Sequence, residues 1–171
     1  MKTEQNFWLL YFLLVIAQSV ISNYFQFSPY WVISILPAMV MCIPLQTGTS
    51  VCMIVAFASG LGIDFLSEGV TGLNAAAVLP VALTRKQLIR SFLGEDIIAR
   101  QDSFSFQKNG ASKVMLAMST AVMIFLVIYI ILDGAGTRPL WFNAARFGIS
   151  MAVNVLLAAI ITRVLTTDDR R

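Results

Sequence analysis

The stretch Gly60-Leu61-Gly62-Ile63-Asp64-Phe65-Leu66-Ser67-Glu68-Gly69-Val70-Thr71-Gly72-Leu73-Asn74-Ala75-Ala76-Ala77 joins two strongly apolar segments. It sets a carboxylate, Asp64, inside the end of the first segment and then turns through glycines. The second segment opens with Asn74 and a run of alanines. Because a carboxylate in hydrocarbon is costly and usually faces the interior of a helix bundle, this stretch predicts two packed membrane helices joined by a short turn.

The composition supports the same interpretation for the whole chain. Of its 171 residues, 58% are hydrophobic and 12% are charged, about half the charged share of an average soluble domain. We therefore expect an all-α integral membrane protein forming a single domain over residues 1–171. The first apolar run is too long for the hydrophobic part of a signal peptide, so we expect it to stay as a helix.

Six apolar runs predict six transmembrane helices in a compact bundle. They cover about residues 7–24, 30–45, 50–66, 71–83, 114–132 and 141–165. The second run holds Pro37 and Pro44, which predict a bent, tilted or partly re-entrant span. Residues 84–113 form the predicted cytoplasmic loop, and its first part sets Arg85 and Lys86 beside an apolar helical stripe suited to the headgroup layer.

Orientation follows from the basic residues near the helix ends. With six helices, both termini and the loop 84–113 share one side, which holds ten of the twelve lysines and arginines. The other side holds only Arg138 and Arg146. We therefore predict a multi-pass protein with both termini in the cytoplasm. A five-helix arrangement, in which residues 30–45 do not cross and the amino terminus lies outside, stays open.

Two charged residues, Asp64 and Arg146, are predicted at similar depth in the outer half of the membrane. Either they pair with each other, or Asn74 and nearby backbone donors satisfy the Asp64 carboxylate. The contact either stabilises the fold or takes part directly in binding a partner or ligand.

Small residues recur one helical turn apart, which lets helix backbones approach closely. The pairs are Ala56 with Gly60, Ala58 with Gly62, and Ala117 with Ala121, followed by the series Ala144, Gly148 and Ala152. These residues pack within the monomer or against another chain. The series Ala144, Gly148 and Ala152 is the best candidate for contact with a partner or with a second copy in a homo-oligomer.

Residues for catalysis are scarce. The chain has no histidine, which removes the commonest general base and metal ligand. Cys42 and Cys52 lie in apolar segments without metal-site spacing, so we expect buried, unpaired thiols. Only one carboxylate is predicted in the membrane, where an intramembrane aspartyl protease needs two. We therefore expect no enzyme, no cofactor, no metal and no nucleic acid partner.

The run from Gly60 to Asp64, followed by Gly72-Leu73-Asn74-Ala75-Ala76-Ala77, resembles the rod shape-determining protein MreD family. The basic stretch Thr84-Arg85-Lys86-Gln87-Leu88-Ile89-Arg90 is similar to the segment that follows the fourth helix in that family. On this resemblance, Asp64, Gly72 and Asn74 are candidate structural or partner-binding residues.

The resemblance implies a non-enzymatic subunit of the bacterial cell-elongation complex in the inner membrane. Such proteins bind the membrane protein MreC. Through it they connect MreB filaments inside the cell to the glycosyltransferase RodA and its transpeptidase partner, which synthesise peptidoglycan outside. The implied fold is similar to the six-helix substrate-binding subunits of energy-coupling-factor transporters. The alternative function is therefore a membrane subunit that binds a small molecule such as a vitamin for transport.

Overall fold

The computed structural model describes residues 2–24, 30–67, 70–95, 97, 104, 110–134 and 138–166. Within these residues the chain forms helices and no strands, which confirms the all-α class. The six helices are α1 (Lys2–Tyr24), α2 (Leu36–Cys42), α3 (Thr49–Leu66), α4 (Leu73–Leu93), α5 (Ala111–Gly134) and α6 (Leu140–Thr166). Four of them, α1, α3, α5 and α6, are long and apolar enough to cross a membrane.

The bundle is apolar outside and partly polar inside, as expected for a protein surrounded by lipid. Large apolar side chains such as Leu9, Phe65 and Leu140 are exposed. Among the described residues, the buried polar side chains are Gln18, Ser19, Ser34, Ser59, Asp64, Asn74, Arg85, Arg146, Ser150, Asn154 and Thr162. Cys42 and Cys52 are buried and unpaired, which confirms that prediction.

Helix α4 lies between α3 and α5 and is longer than predicted. It continues through Pro80 and ends at Leu93, whereas the sequence pattern placed its end near Leu83. The first ten residues of the predicted cytoplasmic loop are therefore the last turns of this helix. Most of the remaining predicted loop lies outside the described residues.

The second apolar run is not the helix that was predicted over residues 30–45. Helix α2 covers only seven residues, Leu36–Cys42, and Pro37 lies in its first turn, where proline's missing N–H is not needed. Residues 31–35 have no regular secondary structure. Pro44 follows directly on the C-cap Ile43, and the residue before a proline is disfavoured in helical conformation. All residues from Ser34 to Ile43 are nevertheless buried.

Helix α6 supplies hydrogen-bond partners to the backbone groups on one side of this irregular segment. The hydroxyl of Ser150 accepts a hydrogen bond of 2.8 Å from the Val32 N–H. One turn further, the Asn154 carboxamide accepts from the Ser34 N–H at 2.7 Å and donates to the Val32 carbonyl at 2.6 Å. Irregular backbone at membrane depth is tolerated only where such partners exist.

Helix α1 satisfies the other side through a single carboxamide. Gln18 Oε1 accepts from the Ile35 N–H at 2.9 Å, and its Nε2 donates to the Ile33 carbonyl at 3.1 Å. Alternate residues of the segment therefore bond to opposite helices, as alternate residues of a strand bond to opposite neighbours. We call residues 32–35 the clasped segment.

The clasped segment and α2 run alongside α6 and in the same direction. At one end, the Tyr30 and Phe142 rings lie 5.1 Å apart. At the other end, Cys42 Sγ lies 3.9 Å from Thr162 Oγ1. Phe142 and Thr162 are 20 positions apart on α6, which corresponds to about 30 Å of helix.

Helices α1 and α3 are also parallel to each other. The Tyr11 hydroxyl lies 3.2 Å from the Ser59 hydroxyl, and further along both helices the Asn23 carboxamide donates to the Leu66 carbonyl at 3.0 Å. Two parallel helices need a connection that returns to the starting side, and residues 30–48 make that connection.

Candidate functional site

The Asp64 carboxylate binds the amino-terminal end of α4. Its Oδ1 accepts hydrogen bonds from the Asn74 N–H at 3.1 Å and from Asn74 Nδ2 at 2.7 Å. Its Oδ2 accepts from the Ala75 N–H at 3.2 Å. The first N–H groups of a helix lack partners within the helix, and its dipole favours a negative charge there. Asp64 thus caps α4 from a different helix.

Gly72 is the N-cap residue that precedes α4, and its φ of +92° lies in the left-handed region. This conformation is easily adopted by glycine and strained for other residues. It turns the chain so that the N–H groups of Asn74 and Ala75 face back toward α3. The predicted residues Asp64, Gly72 and Asn74 therefore form one structural unit.

Gly60 allows the backbones of α3 and α4 to pack closely beside this unit. A Cβ added to Gly60 would lie 2.5 Å from the Ala75 Cα and 2.7 Å from its nitrogen, which is closer than carbon atoms pack. Ala56, one turn earlier, is fully buried. The pair Ala56 and Gly60 is thus used for packing within the chain, as are the fully buried Ala117 and Ala121 on α5.

Arg146 does not bond to Asp64, so of the two predicted alternatives the structure favours the contact with Asn74. Instead, Arg146 Nη1 donates to Asp133 Oδ2 at 2.5 Å, and Arg138 Nη1 donates to the same oxygen at 3.1 Å. These three residues connect the end of α5 to the start of α6. We call them the arginine cluster.

A further cation, Arg85, is fully buried, which corrects its predicted position at the headgroup layer. Its Nε donates to the Met41 carbonyl at 3.3 Å and its Nη2 donates to the Ile43 carbonyl. Its Nη1 lies 3.9 Å from Cys52 Sγ. These carbonyls belong to the carboxyl end of α2, where backbone acceptors lack partners and a cation is favoured.

The series Ala144, Gly148 and Ala152 lies on the exposed side of α6. A Cβ added to Gly148 would meet no atom within 4 Å. The opposite face of the same helix carries the buried Arg146, Ser150 and Asn154. The polar face of α6 therefore makes hydrogen bonds inside the bundle, whereas its small-residue face is exposed. We call the latter the open face of α6.

The predicted site residues thus fall in three places rather than one. Asp64, Gly72 and Asn74 lie at the α3–α4 turn, Arg146 belongs to the arginine cluster, and the small series faces outward. Sequence reasoning missed the roles of Gln18, Arg85 and Asp133. Gln18 is a polar residue within the first apolar run, and a carboxamide in a membrane helix needs hydrogen-bond partners. Its position in the sequence therefore indicates a polar contact inside the bundle.

Among the described residues, no three of His, Cys, Asp and Glu come close enough together to hold a metal ion. Comparison of the chain with protein-family models, with curated proteins and with solved structures finds no match.

Proposed function

We propose that this chain is a non-enzymatic scaffold subunit of the bacterial cell-elongation complex, related to the MreD family and embedded in the inner membrane. The convergence of Gly60, Asp64 and Asn74 supports this proposal. These residues carry the resemblance, and they lie together in a single joint between α3 and α4. Their spacing is therefore a requirement of that joint, which makes it more informative than a chance run of glycines and alanines.

The proposal includes six membrane crossings and a cytoplasmic amino terminus. If residues 30–45 did not cross, α1 and α3 would be antiparallel, but they are parallel. The segment from Tyr30 to Cys42 accompanies α6 over about 30 Å, the thickness of the hydrocarbon core. Helix α4 has 21 residues and, at about 1.5 Å each, matches the same thickness. Six crossings also fit the energy-coupling-factor-like bundle that the resemblance implies.

The observation that carries the partner assignment is the open face of α6. We propose that the surface of Ala144, Gly148 and Ala152 receives a transmembrane helix of MreC. Through MreC, the chain joins RodA, its transpeptidase partner and, indirectly, MreB. In lipid, helices associate by close packing of small residues, and this surface has no large side chain in its centre.

Affinity purification from native membranes in mild detergent tests the proposal. We expect MreC, RodA and the transpeptidase to co-purify with the wild-type chain. The variant Gly148→Leu places a bulky side chain on the open face without a clash inside the bundle, so it should lose MreC and keep its expression level. The matched control is Ala58→Leu, which enlarges an exposed small residue on α3 and should retain MreC.

Three results would contradict the proposal. Recovery of an ATPase pair with a coupling subunit, together with submicromolar vitamin binding, would support the transporter alternative. Equal loss of MreC from both variants would remove α6 as the partner surface. Self-association that Gly148→Leu abolishes, without any MreC in the wild-type sample, would assign the face to a second copy.

A further inference from the structure

The arginine cluster holds more positive charge than its carboxylate neutralises. Arg138 and Arg146 both donate to a single oxygen, Asp133 Oδ2, at 3.1 and 2.5 Å. Their two Nη1 atoms therefore lie no further apart than the sum of those distances, about 5.6 Å. Like charges this close repel one another unless a counter-charge is near. Counted over these three residues, one anion between two guanidinium groups leaves one unit of positive charge. Asp64, whose charge also acts on the neighbouring Tyr129, is bonded to Asn74 and Ala75 instead of to either arginine.

The cluster also contains an unused donor. Arg146 is 6% exposed, and its buried Nε has no hydrogen-bond partner among the described residues. A buried donor without a partner costs about 1–3 kcal/mol. Arg146 Nη1, on the same planar guanidinium, is already bonded to Asp133. The group therefore cannot rotate to give Nε another partner without breaking that bond.

Among the described residues, the Arg138 guanidinium makes one hydrogen bond, from Nη1 to Asp133 Oδ2, so its other N–H donors have no described partner. Its guanidinium carbon lies over the Phe142 ring, 5.7 Å from the ring centre, which is within the range of a cation–π attraction. A guanidinium carries five N–H donors, and this attraction to the ring uses none of them in a hydrogen bond. About a third of the Arg138 side chain is exposed, which gives an anion access to the cluster.

The surroundings are those of a membrane interface. Arg138 precedes α6, whose first turn carries the exposed Trp141 beside Phe142. Aromatic residues of this kind concentrate at the headgroup level. The dipole at the amino end of α6 adds to the attraction for an anion.

We propose that the arginine cluster binds the phosphate group of one anionic membrane lipid. The phosphodiester would complete an arrangement of two cations and two anions, Asp133 being the other anion. Arginine suits this role because its fork of donors matches the oxygens of a phosphate. This proposal is independent of the assignment to the cell-elongation complex.

Fluorescence of Trp141 provides a local test. Trp8 and Trp31, the other two tryptophans, are replaced by phenylalanine, and the full chain is placed in phosphatidylcholine vesicles. Equal mole fractions of brominated phosphatidylglycerol or brominated phosphatidylcholine are then added, because bromine quenches tryptophan at short range. We expect the anionic lipid to quench Trp141 more strongly. Arg138→Gln should weaken the apparent affinity for it about tenfold, the effect of losing one charge-assisted bond.

The control is Arg90→Gln, which removes one positive charge from the exposed end of α4 and should leave the excess quenching unchanged. Asp133→Asn separates the proposal from a merely structural role. If the cluster binds phosphate, losing the competing carboxylate should increase the excess quenching, provided that circular dichroism shows a folded chain. If Asp133→Asn does not fold, the comparison of Arg138→Gln with Arg90→Gln decides alone.

Three results would overturn the proposal: equal quenching by both lipids, equal effects of Arg138→Gln and Arg90→Gln, or reduced quenching in folded Asp133→Asn. Inorganic phosphate distinguishes the source of the anion. If millimolar phosphate reverses the excess quenching, the site takes a soluble phosphate and the lipid assignment is wrong.

Discussion

At the scale of single residues, the α3–α4 joint depends on the missing Cβ of Gly60 and on the carboxylate of Asp64. Gly60 has no Cβ, so the backbone of Ala75 can approach it. That approach brings the Asp64 carboxylate within 3.2 Å of the Ala75 N–H. Close packing and the hydrogen bonds are therefore coupled, and a change at Gly60 should affect both.

We predict that Gly60→Ala destabilises the protein by about 1–3 kcal/mol, the usual range for overpacking, because its Cβ would lie 2.5 Å from the Ala75 Cα. The measurement is thermal unfolding of the purified protein in detergent. The matched control is Gly62→Ala, two residues further along α3, where an added Cβ meets nothing within 4 Å. Equal melting temperatures for the two variants would contradict the prediction.

A second residue-scale prediction concerns the partner of Asp64. Asp64→Asn and Asn74→Ala should each destabilise by about 1–3 kcal/mol, because each removes a charge-assisted hydrogen bond. Their effects should be non-additive by at least about 0.5 kcal/mol, since the two side chains share that bond. Asp64→Asn and Arg146→Gln should be additive, because Arg146 bonds to Asp133. The reverse pattern in the same unfolding assay would support the Asp64–Arg146 pair instead. In that pattern Asp64→Asn is additive with Asn74→Ala and non-additive with Arg146→Gln.

Some of these contacts could be predicted from the sequence because their partners are close along the chain. Asn74 lies ten residues after Asp64, across a glycine-rich turn, and was one of two partners considered. Asp133 directly follows the fifth predicted run, which ends at about residue 132, so its position does not indicate a carboxylate within reach of Arg146. The burial of Arg85 could not be foreseen, because a basic residue at the end of an apolar run is the usual signature of a membrane boundary.

At the scale of secondary structure, the short helix α2 depends on its neighbours for its hydrogen bonds. A seven-residue helix is too short to be stable alone. Arg85 reaches it from α4 and bonds to the carbonyls of Met41 and Ile43, and the clasped segment before it is bonded to α1 and α6. Three other helices thus supply hydrogen-bond partners to backbone groups at both ends of α2 and in the clasped segment.

We predict that Arg85→Lys destabilises the protein by about 1–3 kcal/mol. Lysine keeps the positive charge but concentrates its donors on one nitrogen, so it cannot reproduce the arginine fork that reaches both carbonyls. Arg90→Lys is the matched control on the same helix, because the contact that the described residues give the Arg90 side chain is an exposed ion pair with Glu95, and such pairs contribute little. Thermal unfolding in detergent measures both, and an unchanged melting temperature for Arg85→Lys would contradict the prediction.

Helix boundaries were predictable where an apolar run is uninterrupted. The run predicted at 50–66 is the helix Thr49–Leu66. The second run was predicted as a helix because it is apolar. An apolar sequence indicates that a segment is shielded from water, and a buried irregular segment is as apolar as a helix. Pro37 and Pro44 did indicate a distorted span. The partners of that distortion lie on α1 and α6, one of them more than 100 residues away, beyond the reach of any local pattern.

At the scale of the whole molecule, the parallel arrangement of α1 and α3 favours the proposed six crossings over five. In proteoliposomes or whole cells, we predict that Trp31→Cys and Gln46→Cys, introduced separately into a chain with Cys42 and Cys52 replaced by alanine, react with a membrane-impermeant maleimide from opposite sides. Both positions are exposed, and they lie on either side of the clasped segment and α2. Labelling from the same side would support the five-helix arrangement.

The outer surface explains why partner contacts could not be predicted from the sequence. A lipid tail is as apolar as leucine, so a helix face packed against lipid has the same composition as one packed against another protein. The series Ala144, Gly148 and Ala152 stood out by residue size, and only the structure distinguishes it from the equally small, but buried, Ala117 and Ala121.

The clasped segment has a consequence for how the protein is made. Ser150 and Asn154 follow their backbone partners by 118 to 122 residues. At about 5–20 residues per second, a ribosome needs roughly 6–24 seconds to synthesise that interval. During this delay the Val32 and Ser34 backbone groups have no α6 to bond to, and bare lipid cannot replace it. If residues 30–45 and α6 both cross the membrane, as proposed, we expect the nascent chain to keep this segment in a hydrated part of the insertion machinery until α6 emerges, so that the two crossings enter the bilayer in a single late event.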